Sequence, residues 1–124
     1  MAVAINDMSV ASGLKIVRDA DADGTIEADI NGGAATLWLV LIDNTGNDTD
    51  NVYLKLYDAL TATVGTTAPN MSIHAYAGQT ITLACLPAGV SFGTGISFAC
   101  VTNGGGTAGT SPPTNAVAVA LVIG

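Results

Sequence analysis

The chain has 124 residues, of which 49% are hydrophobic and only 10% charged, and ten acidic against three basic side chains give it a net charge of −7. A chain of this length fits one domain and can bury a core without a disulfide or a metal to hold it together. Three cations cannot form the basic patch that binding to DNA, RNA or an anionic membrane requires, so no nucleic acid and no membrane is an expected partner.

The N-terminal segment lacks the basic stretch and apolar run that mark a signal peptide. The longest apolar runs, LWLVLI at 37–42 and AVAVALVI at 116–123, are far shorter than the roughly 20 residues of a membrane-spanning helix. We therefore expect both runs to be buried strands of a protein that is made in the cytoplasm.

The stretch DADADGTIEADI, residues 19–30, resembles the start of a calcium-binding loop. Asp19, Asp21 and Asp23 occupy alternate positions before a glycine, as the carboxylates of such a loop do. The bidentate glutamate that closes the loop is replaced by Ile30, and no helices flank the stretch. We interpret it as an exposed turn between two strands and keep the three aspartates only as candidate metal ligands; no cofactor is expected.

In a second interpretation, which remains open, two acidic loops share one calcium ion. If strands 25–31 and 34–43 form a hairpin around Asn31, Gly32 and Gly33, the acidic loop that follows returns to the end of the fold where Asp19 lies. The two acidic loops then share one ion, with carboxylates of Asp43, Asp48 and Asp50 from the second loop.

Short β-branched runs between Gly, Asn, Asp and Pro clusters are typical of an all-β protein. The run VYLKLYDA alternates, which predicts that Val52, Leu54 and Leu56 point to a core. The run TLWLVLID, residues 36–43, is apolar on both faces and predicts a central strand that is covered on both sides. The predicted strands are 3–6, 9–17, 25–31, 34–43, 51–58, 71–76, 79–86, 95–102 and 115–123.

This spacing predicts one domain, residues 1–124, with an all-β, β-sandwich or jelly-roll-like fold of about eight or nine short strands. In strand 115–123 the larger side chains share one face and alanines the other, where another sheet or subunit can approach closely. The Gly-, Thr- and Pro-rich stretch 103–115 is predicted to be a loop. It is either an arm that reaches a neighbouring subunit or, as we favour, a mobile segment.

Residues that support catalysis are scarce. His74 is the single histidine and alternates toward solvent, and no nucleophile motif accompanies it. Cys85 and Cys100 end two strands on their apolar faces, so we expect buried, unpaired thiols in a reducing compartment. Their spacing does not match a zinc site. We therefore expect a protein that is not an enzyme.

Three segments carry a resemblance to known proteins: LIDNTGN at 41–47, VYLKLYDALTATVGTTAPNM at 52–71 and AGVSFGTGISFACVTNGGGTAGTSPP at 88–113. They resemble a group of small proteins that are encoded among the virion structural genes of tailed bacteriophages. The resemblance implies a β-sandwich virion component of the capsid decoration, or cement, type. It implies no catalytic residue and does not include the Asp-rich stretch.

The first hypothesis is therefore a decoration protein on the capsid surface of a virion. It binds neighbouring subunits of the major capsid protein and forms a homo-oligomer, for which a trimer is expected. The alternative is a recognition module in a tail fibre or on a surface, which binds glycans with or without calcium and stacks sugars on Trp38, Tyr53, Tyr57 or Tyr76. A tail-tube subunit is a third hypothesis.

Overall fold

The computed structural model describes residues 3–9, 13–104 and 106–124, with the backbone alone for 6–9. They form an all-β sandwich of two antiparallel sheets, as the sequence predicts. A helix with the length and hydropathy needed to cross a bilayer is absent from these ranges. The strands are β1 Val3–Ser9, β2 Leu14–Ala22, β3 Ala35–Asp43, β4 Val52–Asp58, β5 Met71–Ala75, β6 Thr80–Ala84, β7 Val90–Phe92, β8 Ile96–Val101 and β9 Val117–Ile123.

The larger sheet has six strands in the order β1-β2-β9-β3-β6, with β7 also paired to β3. β6 and β7 lie end to end along β3, because β6 pairs with residues 39–43 and β7 with residues 35–37. β9 lies between β2 and β3, so two strands from the first half of the chain are joined by one from the second.

The smaller sheet has the order β5-β4-β8, and an irregular segment extends it beyond β8. This segment is residues 23–30. The amide of Glu27 donates to the carbonyl oxygen of Phe98 at 2.8 Å, and the carbonyl oxygen of Asp23 accepts from the amide of Cys100 at 2.8 Å. The segment satisfies backbone groups of β8 that otherwise lack a neighbouring strand.

The core lies between the inner faces of the two sheets. Val52, Leu54 and Leu56 are fully buried, which confirms the predicted alternation of β4. Each such side chain contributes about 1.5–3 kcal/mol through its removal from water. The inner face of β9 is the predicted one and consists of Val117, Val119, Leu121 and Ile123.

The predicted strand 25–31 is wrong, and so is the hairpin that it forms with 34–43. Only Glu27 makes a β-bridge, and its partner is Phe98 in the smaller sheet rather than β3. Asp29, with φ of 47°, and the two glycines that follow Asn31 turn the chain from one sheet to the other. This crossing replaces the tight hairpin.

Two other strands differ from the prediction. The predicted strand 9–17 becomes β2, which starts at Leu14 and continues to Ala22; residues 10–12 lie outside the described ranges. The short strand β7 was not predicted, because three residues are too few to show an alternating pattern.

The prediction that β3 is covered on both sides is wrong. Its inner side chains Leu37, Val40 and Ile42 are at most 1% exposed. The described residues place no further layer over its outer face, where Leu39 and Leu41 remain partly exposed. The apolar outer face of β3 therefore contributes to a surface.

Candidate interaction surface

An apolar surface runs across the centre of the larger sheet on the side away from the core. The register of β2, β9 and β3 aligns its side chains in rows, with Ala120 between Arg18 on one strand and Leu41 on the other. We call this surface the outer face. It consists of Ile16, Arg18 and Ala20 of β2, Ala118, Ala120 and Val122 of β9, and Leu39, Leu41 and Asp43 of β3.

The outer face contains an open groove with a volume of about 230 Å³. Ala118 and Ala120 form its floor, because β9 presents only methyl groups between two strands with longer side chains. Arg18 stands on the β2 wall, and Leu41 and Asp43 stand on the β3 wall. The groove is therefore apolar at its floor, with one charge of each sign at its rim.

Charge is divided unevenly along the chain. Every Asp, Glu, Lys and Arg lies within residues 1–58, and residues 59–124 contain none. β5 to β9 and their connecting loops are therefore uncharged apart from any charge on His74. This signal is visible in the sequence, and the predictions above did not use it.

Residues 59–124, which we call the uncharged half, include an exposed apolar loop at the edge of the larger sheet. The loop joins β6 to β7, and we call it the edge loop, residues 85–89. Leu86 within it is 75% exposed, the largest exposed fraction among the large hydrophobic side chains that the structure describes. Leu83 in the adjoining strand is 38% exposed.

The outer side of the smaller sheet, in contrast, is covered by the chain itself. Lys55 points away from the core but is fully buried, because residues 107–109 lie over it. Its Nζ donates to the carbonyl oxygens of Ala108 at 2.7 Å and of Thr107 and Gly109 at 3.4 Å. Burial lowers the pKa of Lys55 below its usual value.

These contacts hold the described part of the loop 103–115 on its own chain. The amide of Thr102 donates to the carbonyl oxygen of Ser111 at 2.8 Å, and Asn115 is bonded in both directions to Asn47. The predicted mobile segment is therefore fastened at several points, and it does not extend as an arm.

The aromatic residues that were candidates for sugar stacking separate into two groups. Tyr57 is fully buried, and the indole nitrogen of Trp38 is buried as well. Tyr53 and Tyr76 lie on either side of His74, with ring centroids 4.5 Å and 4.4 Å from the imidazole. Tyr76 is 58% exposed, so this aromatic cluster presents one open ring.

The interpretation of residues 19–30 as an exposed turn is wrong at its start. Asp19 and Asp21 belong to β2, which pairs with β9 as far as Ala22 opposite Val117. Asp19 points inward and is 1% exposed. The turn begins only at Asp23, whose Oδ1 accepts a hydrogen bond from the amide of Thr25 at 2.8 Å.

Asp19 is an unusual buried carboxyl group. Its Oδ1 accepts a hydrogen bond from the amide of Asp21 at 3.0 Å, and its Oδ2 has no hydrogen-bond partner among the described residues. The pKa of Asp19 is raised to about 6, chiefly by burial and to a smaller extent by the nearby carboxylates of Glu27 and Asp23. The pKa of Glu27 is also raised, chiefly by its own burial.

The structure does not bring the aspartates together around an ion. Asp19 is buried while Asp21 is exposed, and in the described ranges no group of three or more His, Cys, Asp or Glu side chains could hold a metal. In the second acidic loop, the carboxylates of Asp43 and Asp50 accept hydrogen bonds from Thr45 and from the amide of Thr114. The hairpin on which a shared calcium ion depended is not formed.

The two thiols do not pair. Cys100 is fully buried and Cys85 is partly exposed. Burial raises the pKa of both thiols, that of Cys100 to about 12. Because the thiolate is the reactive form, both cysteines act as small apolar side chains.

Comparisons with known proteins do not show a family. No protein-family model matches the chain, and no curated protein matches it. A solved structure with some similarity is the crystal structure of Drosophila melanogaster CENP-C bound to CAL1. It is 12% identical with a TM-score of 0.28, and the match covers 97% of this chain and 68% of that chain. Similarity at this level carries no argument about function.

Proposed function

We propose that this protein is a non-enzymatic structural protein of a tailed-bacteriophage virion, of the capsid decoration type. It strengthens the capsid by binding neighbouring subunits of the major capsid protein, and it acts as a homo-oligomer. The observation that carries the proposal is the uncovered outer face, with its alanine floor and partly exposed Leu39, Leu41 and Val122. A contiguous apolar surface of this kind marks an interaction site, because folded domains normally cover apolar sheet faces with a second layer.

The distribution of charge supports binding to protein rather than to nucleic acid. Carboxylates outnumber cations by ten to three, so packaged DNA repels the molecule. The uncharged half leaves large surfaces that dock on another protein without burying a charge. The resemblance of residues 52–71 and 88–113 to phage virion proteins points in the same direction.

The test is binding to emptied capsids of the phage whose genome carries the gene. We expect the wild-type protein to cosediment with capsids and to appear on the capsid lattice by cryo-electron microscopy. Leu39→Glu places a charge in the outer face beside, but not in, the groove and is expected to abolish binding. Leu60→Glu is the matched control, because Leu60 is 53% exposed in a loop outside the outer face and outside the larger sheet. Equal binding by both variants, or location at the tail tip, rejects the proposal.

A second candidate function is glycan recognition by the aromatic cluster. Tyr76 is open to solvent and tilted by 49° against His74, which in turn is stacked on Tyr53, and such an aromatic surface suits the apolar face of a sugar ring. Titration of host surface glycans into wild-type protein and Tyr76→Ala distinguishes the two functions. Saturable binding that Tyr76→Ala removes, together with no affinity for capsids, favours recognition over decoration.

A further inference from the structure

The edge loop presents a leucine on a fixed backbone. The amide of Cys85 donates to the carbonyl oxygen of Trp38 at 2.9 Å, and the amide of Gly89 donates to that of Cys85 at 2.8 Å. The two ends of the loop are therefore held against β3 and against each other. Leu86 lies between them with three-quarters of its surface in water, where it contributes little to the stability of its own chain.

The groove in the outer face has the size and chemistry to receive such a side chain. Its volume of about 230 Å³ exceeds the roughly 150 Å³ that takes up benzene in other proteins. Its floor consists of Ala118 and Ala120, and the side chain of Leu41 forms part of one wall. A leucine that enters this space removes apolar surface from water on both partners, worth about 25 cal/mol per Å².

The edge loop cannot fill the groove of its own chain. β3 separates β6 from β9, and the edge loop lies beyond the pair of Ala84 with Leu39. The groove is lined by the pairs of Leu41 with Ala120 and of Asp43 with Ala118, two and four residues away along β3. These steps correspond to about 7–13 Å along the strand and about 10 Å across it. An occupant of the groove therefore comes from another molecule.

The charges favour a second copy at this position. Two copies carry −7 each and repel one another wherever their carboxylates meet. The edge loop and both strands beside it lie in the uncharged half, and at the groove Arg18 offsets the charge of Asp43. This contact brings two acidic molecules together where neither presents an uncompensated charge at the rim, so it avoids the repulsion that their other surfaces would meet.

We propose that the groove in the outer face receives Leu86 of a second copy of this chain. The proposal rests on the proposed function and deepens it by naming the occupant of the groove, while Leu39 and Val122 of the outer face remain available for the capsid. The contact joins two different surfaces, so each copy offers one loop and one groove. Such heterologous contacts generate a closed ring where the rotation permits, and a trimer is the ring expected here.

The first test measures the oligomeric state. Native mass spectrometry of the wild-type protein is expected to show a trimer, and Leu86→Ser is expected to give folded monomers whose melting temperature falls only by the stabilisation that assembly supplied. Leu60→Ser replaces another exposed leucine and is expected to remain trimeric. A monomeric wild-type protein, or a Leu86→Ser variant that assembles as the wild type does, overturns the proposal.

The second test locates the contact. In a Cys85→Ser background, Leu86→Cys combined with Ala120→Cys is expected to form disulfide-linked dimers and trimers upon mild oxidation. Each single cysteine variant is the control and is expected not to form trimers. Within one chain, β3 separates the edge of the sheet that carries Leu86 from Ala120 in β9, and two strand spacings of about 10 Å exceed the roughly 7 Å that a disulfide can span, so every bridge joins two copies. A double variant that yields no linked trimer contradicts the proposed contact.

The capsid assay keeps the two proposals separable. A Leu86→Ser monomer that still binds capsids supports the loop-and-groove contact and shows that decoration does not depend on it. A wild-type trimer that crosslinks as expected but has no affinity for capsids retains the contact and rejects the decoration function.

Discussion

Lys55 donates a 2.7 Å hydrogen bond from Nζ to the carbonyl oxygen of Ala108, 53 residues further along the chain. The lysine is fully buried, and the loop that covers it supplies backbone carbonyls rather than a carboxylate. A buried ammonium group that loses its acceptors is costly. The hydrogen bonds of Lys55 therefore hold the loop against β4.

Lys55→Met is expected to release the loop from β4. The carbonyl oxygens of residues 107–109 lose their donor, and we expect a loss of about 1–3 kcal/mol in the free energy of unfolding. Hydrogen exchange should increase in residues 103–111 and remain slow in β8. Lys15→Met is the matched control, because Lys15 is only partly buried and donates to the side chain of Asn31 at 3.1 Å rather than to the loop. Unchanged exchange in the loop of Lys55→Met contradicts this prediction.

Asp19→Asn is expected to stabilise the protein at neutral pH. Burial raises the pKa of Asp19 to about 6 from 3.8, so the folded state binds a proton more tightly than the unfolded chain does. Stability therefore increases as pH falls from about 6 to about 3.8, and the charged form costs up to about 3 kcal/mol at pH 7. Because the new amide also lacks a partner, we expect a net gain of about 1–2 kcal/mol.

Urea denaturation at pH 4.5 and pH 7 measures this effect. As pH rises from 4.5 to 7, the free energy of unfolding of the wild-type protein is expected to decrease more than that of Asp19→Asn. Asp21→Asn, at an exposed position of the same strand, is expected to follow the wild type. A parallel pH dependence in wild type and Asp19→Asn shows that Asp19 is not the group that titrates.

Asp58→Asn is expected to lower the melting temperature at neutral pH. The carboxylate of Asp58 accepts hydrogen bonds from the amides of Thr94 at 2.7 Å, Gly93 at 3.1 Å and Gly95 at 3.3 Å, and these bonds lower its pKa. Its stabilising effect is therefore present above the unfolded pKa of 3.8 and is lost as pH falls through the lower folded pKa. The difference in melting temperature from the wild type should decrease below pH 3.8. Asp48→Asn, at an exposed position, is the control and should leave the melt unchanged.

Gly89→Ala is expected to destabilise the protein more than Gly78→Ala does. The two glycines have φ of 73° and 74°, so backbone strain destabilises an alanine variant by about 1–2 kcal/mol at either position. A methyl group at Gly89 also lies 2.5 Å from Cγ2 of Thr36 and 3.0 Å from the carbonyl oxygen of Leu37, whereas none of the described atoms lies within 4 Å at Gly78. Denaturant titration of both variants isolates this steric cost, and equal losses of stability contradict it.

Calcium is expected to leave the melting temperature unchanged. Asp19 and Asp21 differ in burial, and the described residues offer no group of three metal ligands. Melts in EDTA and in millimolar calcium provide the measurement, since a ligand that binds only the folded state raises the melting temperature. An upward shift that disappears in Asp21→Asn, Asp23→Asn double variants shows that this interpretation of the stretch is wrong.

Local patterns predicted those parts of the fold that depend on one strand alone. The alternation of Val52, Leu54 and Leu56 predicted both the strand and its buried face, because a half-buried strand has a period of two. The Asp-rich stretch misled the prediction, because pairing with β9 extends β2 through Asp19 and Asp21. Tertiary pairing overrides local propensity at such positions.

The surface was harder to predict than the core. The apolar residues on both faces of β3 predicted a cover on each side, but the described chain covers only the inner face. Residues 37–42 alone cannot distinguish a second layer of the same domain from another molecule. The distribution of charge adds a further signal, because β6, β7 and Leu86, which share one edge of the larger sheet, all lie in the uncharged half.

The position of β9 between β2 and β3 has a consequence for biosynthesis. The larger sheet cannot close until the ribosome has made residues 117–123, although both neighbouring strands are complete before residue 44. During that interval the nascent chain exposes two unpaired strand edges, which readily associate with other chains. The many pairings between distant residues also make closure slow, as non-local sheets fold more slowly than local ones. We therefore expect the yield of folded protein at high expression to increase at low temperature and with an abundant supply of chaperones that bind extended segments.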